Sequence, residues 1–118
     1  MDESQKLFQQ AFDELYVLTI PDKIKFLEIL FFHFTLTGRG IWSDDNLSDS
    51  LKVEAFKWLN ELLHRIWHIK FELDENTDDD SIGRLYRNMK FYGEQSDLLR
   101  AHLIPSVLLA FSNFKARE

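Results

Sequence analysis

Hydrophobic residues recur at spacings of three and four along most of this chain, the period of an α-helix that buries one side. Leu7, Phe8, Ala11, Phe12, Leu15 and Tyr16 form the first such stripe and predict a helix over about residues 3–18. Thr19, Pro21 and Asp22 then read as a restart. The hydroxyl can cap, the acid can reach back, and the proline sits in the first turn, where a missing N–H costs nothing. A second helix is predicted over about residues 20–37 and is apolar nearly all round. Ile24, Leu27, Leu30, Phe31 and Phe34 share one side, while Phe26, Ile29 and Phe32 occupy others. A helix of that kind is expected to be central in the fold. Gly38 and Gly40 are expected to end it.

Ser48, Asp49 and Ser50 form a capping cluster ahead of a third helix. Its stripe is Leu51, Ala55, Phe56, Leu59, Leu62, Leu63 and Ile66. Beyond it the pattern is double. Trp67, Ile69, Phe71 and Leu73 alternate with His68, Lys70, Glu72 and Asp74, which is strand periodicity. Ile66, Ile69 and Leu73 equally continue a helical face. A strand needs a partner, and the β-like run over residues 15–20 already belongs to the first helix, so helix is the better reading. A fourth helix is predicted over about residues 80–92, with Ile82, Leu85, Tyr86 and Met89 inward and Gly93 as its stop. From Ser96, the residues Leu99, His102, Leu103, Val107, Ala110, Phe111 and Phe114 hold one stripe straight through Pro105. That predicts a fifth helix, kinked at Pro105 or split into two there. The expected fold is all-α: one bundle of about five amphipathic helices spanning residues 1–118.

Composition narrows the function classes. With 118 residues and 45% hydrophobic content, the chain can bury a core without staples. It has no cysteine, which excludes disulfides, thiolate metal ligands and a thiol nucleophile. The acidic start at Asp2 and Glu3 is not a secretory signal, and the greasiest run, over residues 26–36, contains Glu28 and His33 and is too short to span a bilayer. A soluble, cytoplasmic protein is expected. The net charge of -6 argues against nucleic acid and for basic partners.

Motifs that specify chemistry are missing or incomplete. His64 and His68 lie four apart, with Glu61 three before the first, so all share a helix face. A zinc-protease helix needs Glu directly after the first His, where Arg65 stands, and a di-iron bundle needs a second Glu-x-x-His. Asp74, Asn76 and Asp78 mimic the start of a calcium loop, but Asp79 replaces its glycine and Leu85 its closing Glu. Arg84, Arg87 and Lys90 read as a solvated or internally paired face, with Asp80 and Arg84 in the favoured order for a pair along the helix. No nucleophile elbow or triad signature is present. No catalytic residue, metal or cofactor is assigned, and the protein is expected not to be an enzyme. A small metal-dependent enzyme using His64 and His68 is the third reading.

The charge is concentrated. Residues 1–80 carry 17 acids and 8 bases, while residues 81–118 carry 3 acids and 6 bases. Glu72, Asp74, Glu75, Asp78, Asp79 and Asp80 lie in one stretch without a base, and Asp44, Asp45 and Asp49 lie in another. Both stretches precede helices, whose positive ends they favour. If the third and fourth helices are antiparallel, the stretches sit at opposite ends. Trp42, beside the first, is a candidate anchor, because tryptophan is enriched in binding hot spots.

In size, charge and helical character the whole chain resembles the small, acidic, cysteine-free immunity proteins that bacteria encode beside toxins, including those of contact-dependent growth inhibition. Those proteins share no common motif, so the resemblance carries no residue across by position. It implies a cytoplasmic protein that binds and neutralises a cognate toxin domain, in the first instance a nuclease with a basic cleft. Trp42, Asp44, Asp45, Asp49, Glu72, Asp74, Glu75, Asp78, Asp79 and Asp80 are the expected partner-binding residues, and changing Asp78, Asp79 and Asp80 to Asn is expected to weaken association. A helical adaptor or regulatory module with an acidic face is the alternative.

Overall fold

The computed structural model of the protein describes residues 2–117. Five helices make up the fold: α1 (Glu3–Tyr16), α2 (Ile20–Trp42), α3 (Asp49–Asp74), α4 (Ser81–Gln95) and α5 (Asp97–Ala116). Among the described residues there is no strand, and the all-α bundle expected from the hydrophobic stripes is the observed fold. One buried cluster draws on every helix, from Phe12 and Leu15 of α1 to Val107 and Phe114 of α5. The expected N-caps are in place. Thr19, Ser48 and Ser96 each accept a hydrogen bond from the backbone N–H three residues on, at Asp22, Leu51 and Leu99.

α2, α3, α4 and α5 pack in sequence order, and α1 lies over α4 and α5. The central element is α5 and not α2, because α5 touches all four other helices. α2 packs mainly on α3 and α5, and its Phe32 and Leu36 remain exposed. α5 continues through Pro105 as one helix. Pro105 and Ala101 both lie on its exposed side, so the carbonyl that loses its intrahelical donor faces water.

Three glycines expected to stop helices lie inside them. α2 runs through Gly38 and Gly40 to Trp42, and α4 runs through Gly93 to Gln95. A glycine in a helix interior costs about 1 kcal/mol relative to alanine, and at two of these positions close packing compensates. A Cβ on Gly38 would lie 3.0 Å from Leu59 Cδ2 of α3, and one on Gly93 would lie 2.8 Å from Leu103 Cδ1 of α5. Helix termination falls elsewhere. At the end of α3, Asn76 takes a left-handed conformation (φ 63°), its N–H donates to the Leu73 carbonyl, and the Thr77 N–H donates to the Glu72 carbonyl. This is the Schellman arrangement with asparagine in the place usually held by glycine.

The segment over residues 67–73 is helical. Ile66, Ile69 and Leu73 are buried, and the alternation is produced by Trp67 and Phe71, which are exposed. Leu7, Tyr16, Leu51, Phe56 and Tyr86, expected on inward stripes, are also exposed.

Ion pairs tie the α3–α4 loop to the bundle. Lys23, only 7% exposed, donates from Nζ to Asp78 Oδ2 at 2.6 Å. Asp78 Oδ1 also accepts from the Ser81 hydroxyl at 2.5 Å and from its N–H at 3.4 Å. Asp78 thereby caps α4 from outside the helix, while Asp80, the N-cap residue, is left-handed and makes no capping bond. Arg84 pairs with Glu72, and Asp80 pairs with Arg87 at 3.1 Å, so the expected Asp80–Arg84 pair does not form. The reach back to Glu72 wins because it bridges α3 to α4.

Burial pushes the Asp78 carboxyl up, but hydrogen bonds from Lys23 and Ser81 and the Lys23 charge outweigh this and hold it below the usual carboxylate range. A folded value below the unfolded one means the contribution is complete above the ordinary Asp range and is lost as pH falls through it. Asp78→Asn strands a buried ammonium and is expected to destabilise by about 2–3 kcal/mol in urea melts, below the usual range for a buried pair because Asp78 is partly wet. Lys23→Met with Asp78→Asn is expected to recover most of that loss, and the gap between the native protein and this double variant should close below about pH 4. Gly40 has open space where a Cβ would go. Gly40→Ala is therefore expected to raise stability by about 0.5 kcal/mol, measured the same way.

Candidate protein-binding surface

α2 and α3 form an antiparallel hairpin whose inner side is covered by the rest of the bundle and whose outer side is not. Two aromatic pairs mark its register. Trp42 meets Phe56 edge-on with ring centroids 5.7 Å apart, and Phe31 meets Trp67 at 5.7 Å. Between these pairs runs an apolar groove. Its deeper part is a recess of about 620 Å³ lined by Phe34, Gly38, Trp42, Phe56, Leu59 and Leu63, with Thr35, Arg39, Ser43 and Asn60 at its edges. A second recess of about 260 Å³, lined by Phe31, Trp67, His64 and His68, shares Asn60 and Leu63 with the first, so the two are continuous. Gly38 lines the first recess at the point where Phe56 and Leu59 approach α2 most closely.

Of the 14 exposed large hydrophobic residues, eight lie on α2 and α3: Phe32, Leu36, Trp42, Leu51, Val53, Phe56, Trp67 and Phe71. Three of the eight, Trp42, Phe56 and Trp67, line the groove together. Scattered exposed hydrophobics are ordinary, whereas apolar residues gathered in one depression mark an interaction surface. Trp42 is 58% exposed and Trp67 is 56% exposed, unusual values for a residue type that is mostly buried.

The partner-binding residues expected from sequence are distributed around this groove unequally. Trp42 is the last residue of α2 rather than a loop residue, and it forms one wall. Asp44 and Asp45 follow it. Asp44 accepts a hydrogen bond from the Asn46 N–H at 2.9 Å, which shapes the turn into α3. Asp49 opens α3 two turns before Phe56 on the same face. None of these three carboxylates forms an ion pair among the described residues.

The second acidic stretch lies at the other end of α3, about 39 Å away for 26 helical residues. Most of it is committed internally. Asp78 holds Lys23, Glu72 holds Arg84, Asp80 holds Arg87, and Asp74 holds Lys70 at 3.2 Å. The Arg84 hydrogen bond keeps Glu72 below the ordinary carboxylate range. Glu75 and Asp79 remain without an ion pair among the described residues, and they line one recess with Phe71, a turn beyond Trp67. The two stretches therefore do not merge. They leave acids without ion pairs near the two ends of α3, with Glu75 and Asp79 in a recess that also holds Arg84 of α4.

The other sequence candidates lie outside this arrangement. His64 and His68 are exposed, and no group of three His, Asp or Glu side chains converges among the described residues. The calcium-like loop has Asp74 and Asp78 engaged with lysines. Of the basic run, Arg84 and Arg87 are paired to acids, with the buried Arg84 Nε lacking an acceptor. No helix among the described residues is long and apolar enough to cross a membrane.

Sequence reasoning missed Phe31, Phe56, Leu63, Trp67 and Phe71 as surface features. The first three sat on core stripes. The signal available for the last two was the strand-like alternation itself, which needed large apolar residues on two faces of one helix. Compared with known proteins, the chain matches no family model, no curated protein and no solved structure.

A tryptophan at an unpartnered surface contributes little to the fold. Trp42→Ala and Trp67→Ala are each expected to cost less than about 1 kcal/mol in urea melts, against about 2–5 kcal/mol for Leu59→Ala in the core. Losses above about 2 kcal/mol for the tryptophan variants would show that the groove is structural.

Proposed function

We propose that this protein acts by binding another protein, and that it is an immunity protein which neutralises a basic toxin domain without catalysing a reaction. The observation that carries the reading is the groove between α2 and α3, where two tryptophans stand more than half exposed and one of them, Trp42, is followed by Asp44 and Asp45, which form no ion pair among the described residues. Large aromatic side chains in a depression are the features that supply most affinity in protein interfaces. The surrounding carboxylates and the net charge of -6 steer a basic partner and speed its encounter at low salt.

A small-molecule site fits less well. Such pockets need several polar groups converging to orient the ligand. Here the Thr35 and Ser43 hydroxyls donate to the Phe31 and Arg39 carbonyls of their own helix, and few polar groups are left to converge. The internal commitment of Glu72, Asp74, Asp78 and Asp80 also bears on mechanism. It leaves too narrow an acidic face to inhibit a nuclease by charge alone, so affinity rests on the apolar groove and charge sets rate. That same balance favours the second reading, a helical adaptor, which would use the groove on a partner that is not a toxin.

Co-expression with the toxin domain encoded beside this gene tests the primary reading. Growth rescue and a 1:1 complex are expected. Trp42→Ala should weaken the complex by about 30-fold, the effect of removing a 2 kcal/mol hot spot. Asp44, Asp45 and Asp49 changed together to Asn should chiefly slow association and flatten its salt dependence. Asp79 and Glu75 report on the far end without touching the fold, whereas Asp78 and Asp80 hold internal bases, so their substitution mixes binding with stability. No rescue and no complex at micromolar concentration would sink the toxin reading, and binding to a non-toxin partner through the same groove would establish the adaptor.

A further inference from the structure

Resting on the reading of this groove as a protein-binding site, we infer that the partner contributes one amphipathic α-helix, laid between α2 and α3 and carrying basic residues at both ends.

The backbone of the site dictates helix over strand. Both walls are helices whose N–H and C=O groups are already paired along their own axes, so there is no sheet edge to receive an extended segment. The nearby hydroxyls of Thr35 and Ser43 are likewise turned onto their own helix. An extended chain in this apolar groove would bury backbone polar groups with few partners, at a cost of roughly 1–3 kcal/mol for each. A helix satisfies its own backbone and presents side chains only.

The dimensions agree. From Phe56 to Trp67 the groove follows α3 for eleven residues, or about 16 Å, three helical turns. The two recesses share Asn60 and Leu63, so they lie about one turn apart, the separation of side chains at i and i+4. The larger, about 620 Å³, admits an aromatic or leucine side chain, and the smaller, about 260 Å³, admits one aliphatic side chain.

Charge complementarity sets the ends. Asp44, Asp45 and Asp49 stand without ion pairs beside the Trp42 end of the groove, and Glu75 and Asp79 without ion pairs past its Trp67 end, in a recess shared with Phe71 and Arg84. Along α3, Asp49 and Glu75 are about 39 Å apart. A helix of about 18 residues covers about 27 Å, and a Lys or Arg stem at each end adds roughly 6 Å. Lys70, the base beside Trp67, is already held by Asp74 and stacked on the Trp67 ring, so it does not oppose such a ligand.

Synthetic peptides of about 18 residues test this on the full chain, with binding read by calorimetry and tryptophan fluorescence. The first has Leu and Phe at i, i+4 and i+7 with Lys and Arg at both ends. The second has the same composition with the apolar face scrambled, the third has Glu at both ends, and the fourth is proline-rich with basic ends. The first is expected to bind in the micromolar range, the others at least tenfold more weakly. The deficit of the third should shrink as salt is raised. Trp42→Ala and Trp67→Ala, checked for native circular dichroism, should each weaken the first peptide about tenfold. Equal binding of the scrambled or proline-rich peptide overturns the inference. So does a concentration-dependent dimer that buries Trp42 and excludes the peptide, because the occupant is then a second copy. Should Trp42→Ala abolish a partner complex while no helical peptide binds, the helix inference fails and the protein-binding reading stands. Should a partner complex ignore Trp42→Ala, the groove reading itself fails.

Discussion

In the last third of α2, α3 packs onto a position where no side chain intervenes. Gly38 lets Leu59 and Phe56 come within van der Waals range of the α2 backbone, and this close approach fixes the spacing of the hairpin. The inner sides of both helices come close enough to share one core with α5 and α4. On the outer side, Trp42, Phe56 and Leu63 surround a depression without filling it, and Gly38 lies at its lining.

Length does the rest. α2 and α3, with 23 and 26 residues, are the longest helices, and α4 and α5 cover one side of the pair. A helix that is apolar nearly all round, covered on one side only, has to expose some of what it carries, as Phe32 and Leu36 of α2 do. Acidic residues serve two purposes around this hairpin. In the α3–α4 loop Asp78 and Glu72 bridge helices by pairing with Lys23 and Arg84. In the α2–α3 loop no base is engaged, and the carboxylates face outward or cap. Equal density of acid along the chain therefore corresponds to unequal charge on the surface.

Much of the fold was legible in the sequence because it depends on local rules. Stripe periodicity, the capping residues Thr19, Ser48 and Ser96, and the unbroken stripe through Pro105 each act within one or two turns. The misreadings have a common cause: they concern what lies across from a residue. Gly38 and Gly93 resemble helix stops until their opposite numbers, Leu59 and Leu103, are known. Asn76 ends α3 by adopting a left-handed turn that asparagine tolerates but does not announce. Asp78 looked like one acid among six, and only the fold brings Lys23, 55 residues earlier, to its side. The candidate site was half visible. Trp42 and its neighbouring aspartates could be singled out by charge and residue type, whereas Trp67 and Phe71 were hidden by the assumption that bulky residues on a stripe face inward.

The position of α5 bears on how the chain reaches this structure. α2, α3 and α4 pack on their sequence neighbours, contacts that form quickly because little chain entropy is lost in closing them. α1, though, rests on α4 and α5, and every other helix leans on α5, the last of the five to leave the ribosome. Until Leu99, Leu103, Val107 and Phe114 are available, the inner face of the hairpin is as exposed as its outer one. A nascent chain would then present two greasy sides rather than one, and completion of α5 is the event that separates core from interface.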